Sequence, residues 1–288
     1  MNTETARPAS PAPPSAHYEN FPVASLLCPP RLRPPIAAIY WFARTADDIA
    51  DEGDATPGQR LDDLAVYRQD LHAIAGGRHH SGRWPQVFDP LQKTLHEHDL
   101  PVPLLADLLS AFEQDVVKTR DGAGYADRTE LLDYCRRSAN PVGRLLLHLY
   151  GVRDAQSLAQ SDNICSALQL INFWQDMSVD IPRGRFYLPV ADSQAYGVLR
   201  QDLQANARTP GATTLVAELV RWARAMMQGG AALVHTVPGR AGWELRLVVQ
   251  GGLRILERIE AIDHATLLQR PVLRAWDWPL VLWRALWM

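Results

Sequence analysis

The sequence predicts an all-α protein. Apolar residues recur at helical spacing through most of the chain, and alternating strand patterns are scarce. The pieces between periodic stretches are short and hold Gly, Pro or Asp. The first helix is predicted over 33–52. Ile36, Ile39, Tyr40 and Ala43 share one of its faces, a proline cluster precedes it and Gly53 ends it. Further helices are predicted over 57–75, 102–118, 128–150 with an interruption at Pro141, 154–178, 211–229 and 242–268. A last helix is expected in the stretch holding Trp276, Trp278, Trp283 and Trp287. Residues 1–16 are rich in Pro, Ala, Ser and Thr without an apolar signal core, and read as a disordered tail. No composition shift marks a boundary in 17–288, which reads as a single all-α domain.

With 288 residues, 47% hydrophobic and 21% charged, the chain has the material for a sizeable core. Its net charge of −3 gives no basic excess for a phosphate backbone, so nucleic acid is not an expected partner. Cys28, Cys135 and Cys165 stand far apart, with no CxxC pair. That speaks against a disulfide scaffold and a cysteine zinc site, and for a reducing, cytoplasmic setting. His79-His80 and His96-x-His98 lack metal-ligand context, and no GxSxG, HExxH or Walker A pattern is present. No uninterrupted apolar run is long enough to span a membrane. The Trp-rich C-terminus reads as a helix docked on the core, or as one touching the inner face of a membrane peripherally.

Two helix ends are acidic where the macrodipole disfavours acid. In RTADDIADEGD, Asp47, Asp48, Asp51 and Glu52 crowd the last turns before Gly53. Each carboxylate there costs some tenths of a kcal/mol, and Asp47 and Asp51 repel across one face. Arg44, three and four residues upstream of Asp47 and Asp48, relieves part of this. In LQLINFWQDMSVDIPRG, Asn172, Asp176 and Asp180 follow one another at spacings of four in an otherwise apolar helix. Either cluster alone would be an ordinary solvated face. Two of them, made only of oxygen donors, suit a hard cation such as Mg²⁺, which takes a few carboxylates and completes its shell with water or phosphate oxygen. Arg44, Arg183 and Arg185 add the guanidinium groups that a diphosphate needs.

The runs DDIAD at 47–51, QLINFWQDMSVD at 169–180 and RGRFYLP at 183–189 resemble the squalene/phytoene synthase family. HYENFPVAS at 17–25 and YCRRSANPVGRLL at 134–146 resemble its bacterial hydroxysqualene synthase branch, of the hopanoid route. The resemblance implies an isoprenoid synthase helical bundle around a central cavity, with two Asp-rich motifs facing each other. It implies Mg²⁺-assisted ionisation of an isoprenoid diphosphate. On that reading Asp47, Asp51, Asp176 and Asp180 are the catalytic, metal-side carboxylates, with Asn172 as a further ligand. Tyr40, Arg44, Tyr134, Gln169, Arg183, Arg185 and Tyr187 are carried over as substrate-binding residues. The implied reaction converts presqualene diphosphate, handed over by an upstream presqualene diphosphate synthase, into hydroxysqualene. Head-to-head condensation of two farnesyl or two geranylgeranyl diphosphates is the alternative within the family. A non-catalytic helical scaffold is the alternative outside it, though a scaffold has no need of acid at both helix ends.

Two positions depart from the family pattern. Many relatives carry Arg immediately before the first Asp of the second motif, where this chain has Gln175. Relatives often read Ala-Gly-x-Val-Gly where this chain reads Ala139-Asn140-Pro141-Val142-Gly143. Asn140 is accordingly a candidate to hold the water that captures the carbocation, beside a carbonyl freed by Pro141. The competing role for Asn140 is the cap of a helix restarting at Pro141.

Overall fold

A computed structural model describes residues 28–288. The predicted tail at 1–16 and the segment 17–25 lie outside the described residues. Among the described residues there is no strand, and regular structure is helical apart from an isolated bridge between Tyr125 and Pro189. The chain runs through α1 (Arg33–Asp51), α2 (Pro57–Ala75), α3 (Pro85–His98), α4 (Val102–Asp121), α5 (Arg128–Ser138), α6 (Asn140–Leu149) and α7 (Ala155–Gln175). It continues through α8 (Met177–Asp180), α9 (Val190–Ala195), α10 (Arg200–Gln204), α11 (Pro210–Gly230), α12 (Arg240–Ala261) and α13 (Trp278–Leu286).

Side-chain caps start several helices. Thr56 and Gln59 form a reciprocal capping box on α2. Asp127, Asp154 and Thr209 each accept from the backbone N–H three residues on, opening α5, α7 and α11.

The core has two large parts. One joins α1 to α4 around Phe42, Tyr67, Phe88 and Leu105. The other surrounds α7, with Leu170, Trp174, Leu219 and Leu256 all fully buried. Helix α7 is the axle of this second part and packs against α5, α6, α11 and α12. Glycines let three of those neighbours come close. A Cβ on Gly143 of α6 would lie 2.3 Å from Ser161 Oγ, one on Gly230 of α11 would lie 2.4 Å from the Gln160 carbonyl, and one on Gly252 of α12 would lie 3.2 Å from Leu168.

The structure departs from the sequence reading at several places. Helix α3 occupies a stretch for which no helix is predicted, and it contains Pro85 and Pro90, residues that by themselves disfavour a helix interior. Pro85 is in fact the first residue of the helix, where a missing N–H costs nothing, and Pro90 is tolerated one turn in. The predicted helix 154–178 breaks at Asp176, whose ψ of 11° starts the short α8. The predicted 242–268 ends at Ala261, with a run of turns beyond. The interruption in 128–150 falls at Ala139. Asn140 does not cap α6. It lies inside the helix, 7% exposed, and its Oδ1 accepts from Ser166 Oγ of α7 at 2.9 Å. The C-terminal helix α13 docks on α12 through buried Val281 and Ala285, while its tryptophans stay outside.

The glycine contacts give a stability prediction. Gly230→Ala should destabilise the protein by about 1–3 kcal/mol, because the new methyl meets backbone that cannot step aside. Gly251→Ala, with open space around it in α12, should stabilise by about 0.5–1 kcal/mol. Urea unfolding of the two variants checks both signs.

Candidate active site

The two acidic helix ends face each other. Arg185, just beyond the 3-10 turn that follows α8, reaches back 134 residues, and its Nη2 donates to Asp51 Oδ2 of α1 at 2.8 Å. Asp51 and Asp180 both act to hold Arg185 protonated against the burial that opposes its charge. Tyr40, Arg44, Asp47 and Asp51 follow at spacings of four, three and four and so share a face of α1. Gln169, Asn172 and Asp176 form the corresponding row on α7 and its end, all half-buried.

Three carboxyls at this junction are held far from their ordinary behaviour. Burial, then the charge of Asp51, pushes Asp47 up to about 7 despite Arg44. Burial, then Asp176, pushes Asp180 up to about 6 against the pull of Arg185, Arg183 and Arg270. The third is Asp115, in the middle of α4. Burial pushes it to about 7, although Tyr134 Oη donates to its Oδ2 at 2.5 Å and the Arg185 charge favours the anion. Asp47 and Asp51 both press on Asp115 electrostatically. Sequence reasoning missed it: one acid among several on an amphipathic helix carries no local signal.

The cations divide into two groups. Arg44 is committed to its own helix, with Nη1 3.4 Å from Asp47 Oδ2 and Nη2 2.5 Å from Asp48 and 2.7 Å from Glu52. Arg183 is exposed on the 3-10 turn. Arg270 was not anticipated, yet its Nε donates to Asp176 Oδ1 at 2.5 Å. Arg60 of α2 was also missed. Its guanidinium donates to the carbonyls of Ile49, Glu52, Gly53 and Ala55, so it caps the C-terminus of α1. A cation there neutralises the dipole end on which the acids sit.

Beside the charges the side chains close around an apolar space of only about 10 Å³. Asp180 and Arg185 stand at its polar end, and Phe173, Trp174, Met177 and Tyr187 line the rest. Tyr187 stacks on Phe173 with ring centroids 3.8 Å apart and an interplanar angle of 8°. Tyr134 and Tyr125 stand behind them, at 6.1 Å from Phe173 and 6.0 Å from Tyr187 respectively. Tyr134 and Tyr187, carried over as substrate-binding residues, thus belong to one aromatic cluster. Asn140 is turned toward Ser166 at the α5–α6 break, and Ser138 Oγ beside that break is buried without a protein partner.

The donor set fits a hard cation of small protein demand. Asp47, Asp51, Asp176, Asp180 and Asn172 offer only oxygen, and several of these carboxylates carry unfavourable charge that a cation would offset. Among the described residues no three such groups already converge on one point.

The raised carboxyls predict the pH dependence of the metal-free protein. Asp47 and Asp115 keep their protons in the fold up to about 7, whereas the unfolded chain releases them near the ordinary value. Between those two values the native state holds protons that the unfolded chain has released, so stability falls as pH rises from about 4 to 7 and levels off above it. In chelator the melting temperature should drop between about pH 5 and 7 and flatten by about pH 8, and Asp47→Asn with Asp115→Asn should reduce that slope. A flat or rising wild-type curve contradicts the assignment.

Comparison with known proteins places the chain in a family. Residues 15–277 match the family model for squalene/phytoene synthase. A hydroxysqualene synthase of Sinorhizobium fredii is 33% identical over 247 residues, covering 85% of this chain and 80% of that protein. A phytoene synthase of Thermus thermophilus is 30% identical, covering 94% and 89%. The crystal structure of a squalene synthase from Alicyclobacillus acidocaldarius superposes with a TM-score of 0.77 at 35% identity, covering 86% of this chain and 90% of that one. Opposed carboxylates beside an aromatic pocket, the helical architecture and these matches lead to one conclusion: the chain belongs to the squalene/phytoene synthase family.

Proposed function

We propose that this protein converts presqualene diphosphate and water into hydroxysqualene and diphosphate, with Mg²⁺ as cofactor. The observation that carries the reading is the bridge of Arg185 to Asp51, which sets two carboxylate motifs opposite each other beside an aromatic cluster. Hydroxysqualene synthases among the relatives support the choice of product.

Asp47, Asp51, Asp176, Asp180 and Asn172 would hold the metal, which when bound neutralises the charge developing on the departing diphosphate. Arg185 and Arg270 lie at the carboxylates and offer guanidinium groups to the same oxygens. Loss of the diphosphate leaves a cyclopropylcarbinyl cation. Phe173 and Tyr187 cover each other's inner faces, so the ring faces turned away from that stack, with Trp174, would offer π-density to positive charge. Water then forms the new C–O bond and gives up a proton, so the reaction needs no reductant. Ser138 Oγ and the Asn140 amide at the α5–α6 break are the polar groups proposed to hold that water. Squalene formation by head-to-head condensation is the second reading, favoured by the squalene synthase from Alicyclobacillus acidocaldarius.

Asp176→Asn should lower turnover by on the order of 100-fold or more while the protein still folds, because charge neutralisation in the transition state is weakened. The assay is purified protein with presqualene diphosphate and Mg²⁺, without reductant, followed by mass analysis of the lipid product. Full activity in the variant contradicts the metal assignment. Product formed only from two farnesyl diphosphates, or only with a reductant, favours the condensation reading.

A water-insoluble substrate and product make an anionic bilayer the proposed docking partner, also the route by which an upstream presqualene diphosphate synthase would hand over its product. No described helix is long and apolar enough to cross a membrane. The C-terminal surface instead exposes Trp276, Trp278, Trp283 and Trp287 at 62, 49, 59 and 76%. Its charge complements anionic headgroups: Arg274 lies over Trp276 and Arg246 over Trp243, while the one acid of the stretch, Asp277, is buried under Arg254 and Arg258. The protein should sediment with phosphatidylglycerol-containing vesicles, and high salt should weaken but not abolish this. Changing both Trp283 and Trp287 to Ser should abolish it with folding intact. Unchanged partitioning, or self-association lost in the same variant without vesicles, overturns the bilayer as partner.

A further inference from the structure

Gln175 is an unusual residue to find where it is. It is 1% exposed, it closes α7 immediately before Asp176, and its Nε2 donates to the carbonyl of Pro271 at 2.7 Å. That bond spans 96 residues. Pro271 is preceded by Arg270, whose Nε lies 2.5 Å from Asp176 Oδ1. The amide and the guanidinium therefore close a small ring. From Gln175 it crosses to Pro271, steps back one residue to Arg270, and returns to the carboxylate next to Gln175.

The segment after α12 has a second attachment at the same place. Ser178 N–H donates to the Thr266 carbonyl at 3.1 Å, and Thr266 is fully buried with its hydroxyl 3.4 Å from Met177 sulfur. Residues 262–277 thus lie as a strap across the junction of α7 and α8, where the second acidic motif bends. The strap holds little regular structure before the 3-10 turn at Ala275–Asp277. The first run of backbone turns in the strap ends at Gln269, whose N–H donates to the Ala265 carbonyl, so from there to the 3-10 turn the course of the chain depends on cross-links to other elements. Of these links, Gln175 is the one adjacent to Arg270.

We propose that Gln175 is a positioning residue for Arg270: its buried amide holds the Pro271 carbonyl and so aims the Arg270 guanidinium at the second carboxylate motif. This rests on the reading of the site as a diphosphate site. An amide suits the task better than a cation would. It satisfies a buried carbonyl without bringing a further charge into the core. The guanidinium contributed from 96 residues away then serves the motif without belonging to its helix. Arg270 also sits on Asp176 as a counter-charge that a metal ion would displace, leaving the guanidinium directed at the phosphate oxygens.

The test reads binding of inorganic pyrophosphate with Mg²⁺ by calorimetry, and so does not depend on which isoprenoid is the substrate. Gln175→Met keeps the side-chain volume and removes the donor. It should weaken pyrophosphate binding by roughly 10-fold, as loss of an orienting partner does. Arg270→Ala should weaken it by a similar factor. The double variant should be no worse than Arg270→Ala alone, because Gln175 acts only through the arginine. A merely structural role for Gln175 would lower the melting temperature and leave the two effects multiplying to about 100-fold. That result, or wild-type affinity in a folded Gln175→Met, overturns the proposal. Should Gln175→Met not fold, Gln175→Asn keeps the amide but shortens its reach, and carries the same comparison. Failure of the wild type itself to bind pyrophosphate would count against the diphosphate reading, and the positioning role with it.

Discussion

The contact of Arg185 with Asp51 is the interaction on which the site depends. Carboxylates from α1, α4 and the α7–α8 junction point into one region, and none of these elements would approach the others on electrostatic grounds. A guanidinium set between them turns repulsion into attraction. It also joins the helical layer of α1 to α4 with the layer around α7, across a long stretch of sequence. The same cation lies beside the aromatic cluster, so the group that permits assembly also stands where the charged and apolar parts of the site meet.

The cost of the acidic helix ends is met locally before it is met by ligand. On α1, Arg60 takes up backbone carbonyls at the negative end of the helix, and Arg44 spreads its charge over Asp47, Asp48 and Glu52. On α7, Arg270 serves Asp176. These pairs are partly exposed and each is modest in stability. Their arrangement is more informative than their strength. Each acidic end has acquired an arginine from a different element, and what is left unbalanced is concentrated on Asp47, Asp115 and Asp180. The residual electrostatic discomfort of the fold thus lies at the place where a dication would relieve it.

Much of this was legible from sequence because it is local. Acid at a helix C-terminus is a violation of a short-range rule, and two such violations in apolar helices identify Asp47, Asp51, Asp176 and Asp180 without any fold. Arg185 was legible because it follows the second motif directly. Asp115, Arg60 and Arg270 were not, since their meaning comes from partners on other elements: Tyr134 for Asp115, the end of α1 for Arg60, and Asp176, 94 residues back, for Arg270. Helix α3 is absent from the sequence reading; Pro90 lies inside it, and the usual effect of that residue is overridden by burial of Val87, Phe88 and Leu91 against the first core. Asn140 shows the opposite error: Asn before Pro reads as a cap, yet a serine on the neighbouring helix claims its amide oxygen.

The glycines around α7 set the aim of its motif residues as a matter of rotation. With α11 and α12 in near contact along one face of the helix and α6 on the face beside it, α7 cannot turn about its own axis without a collision. A carboxylate stands about 6 Å from a helix axis, so a roll of about 20° would swing it by roughly 2 Å, enough to take it out of reach of a shared phosphate oxygen. The bearing of Asn172 and Asp176 is thereby indexed by residues that never meet the substrate. Variation among relatives in how their helices seat around this axle would retune the spacing between the two acidic motifs, and with it the geometry of the leaving group, while every residue of the motifs stayed the same.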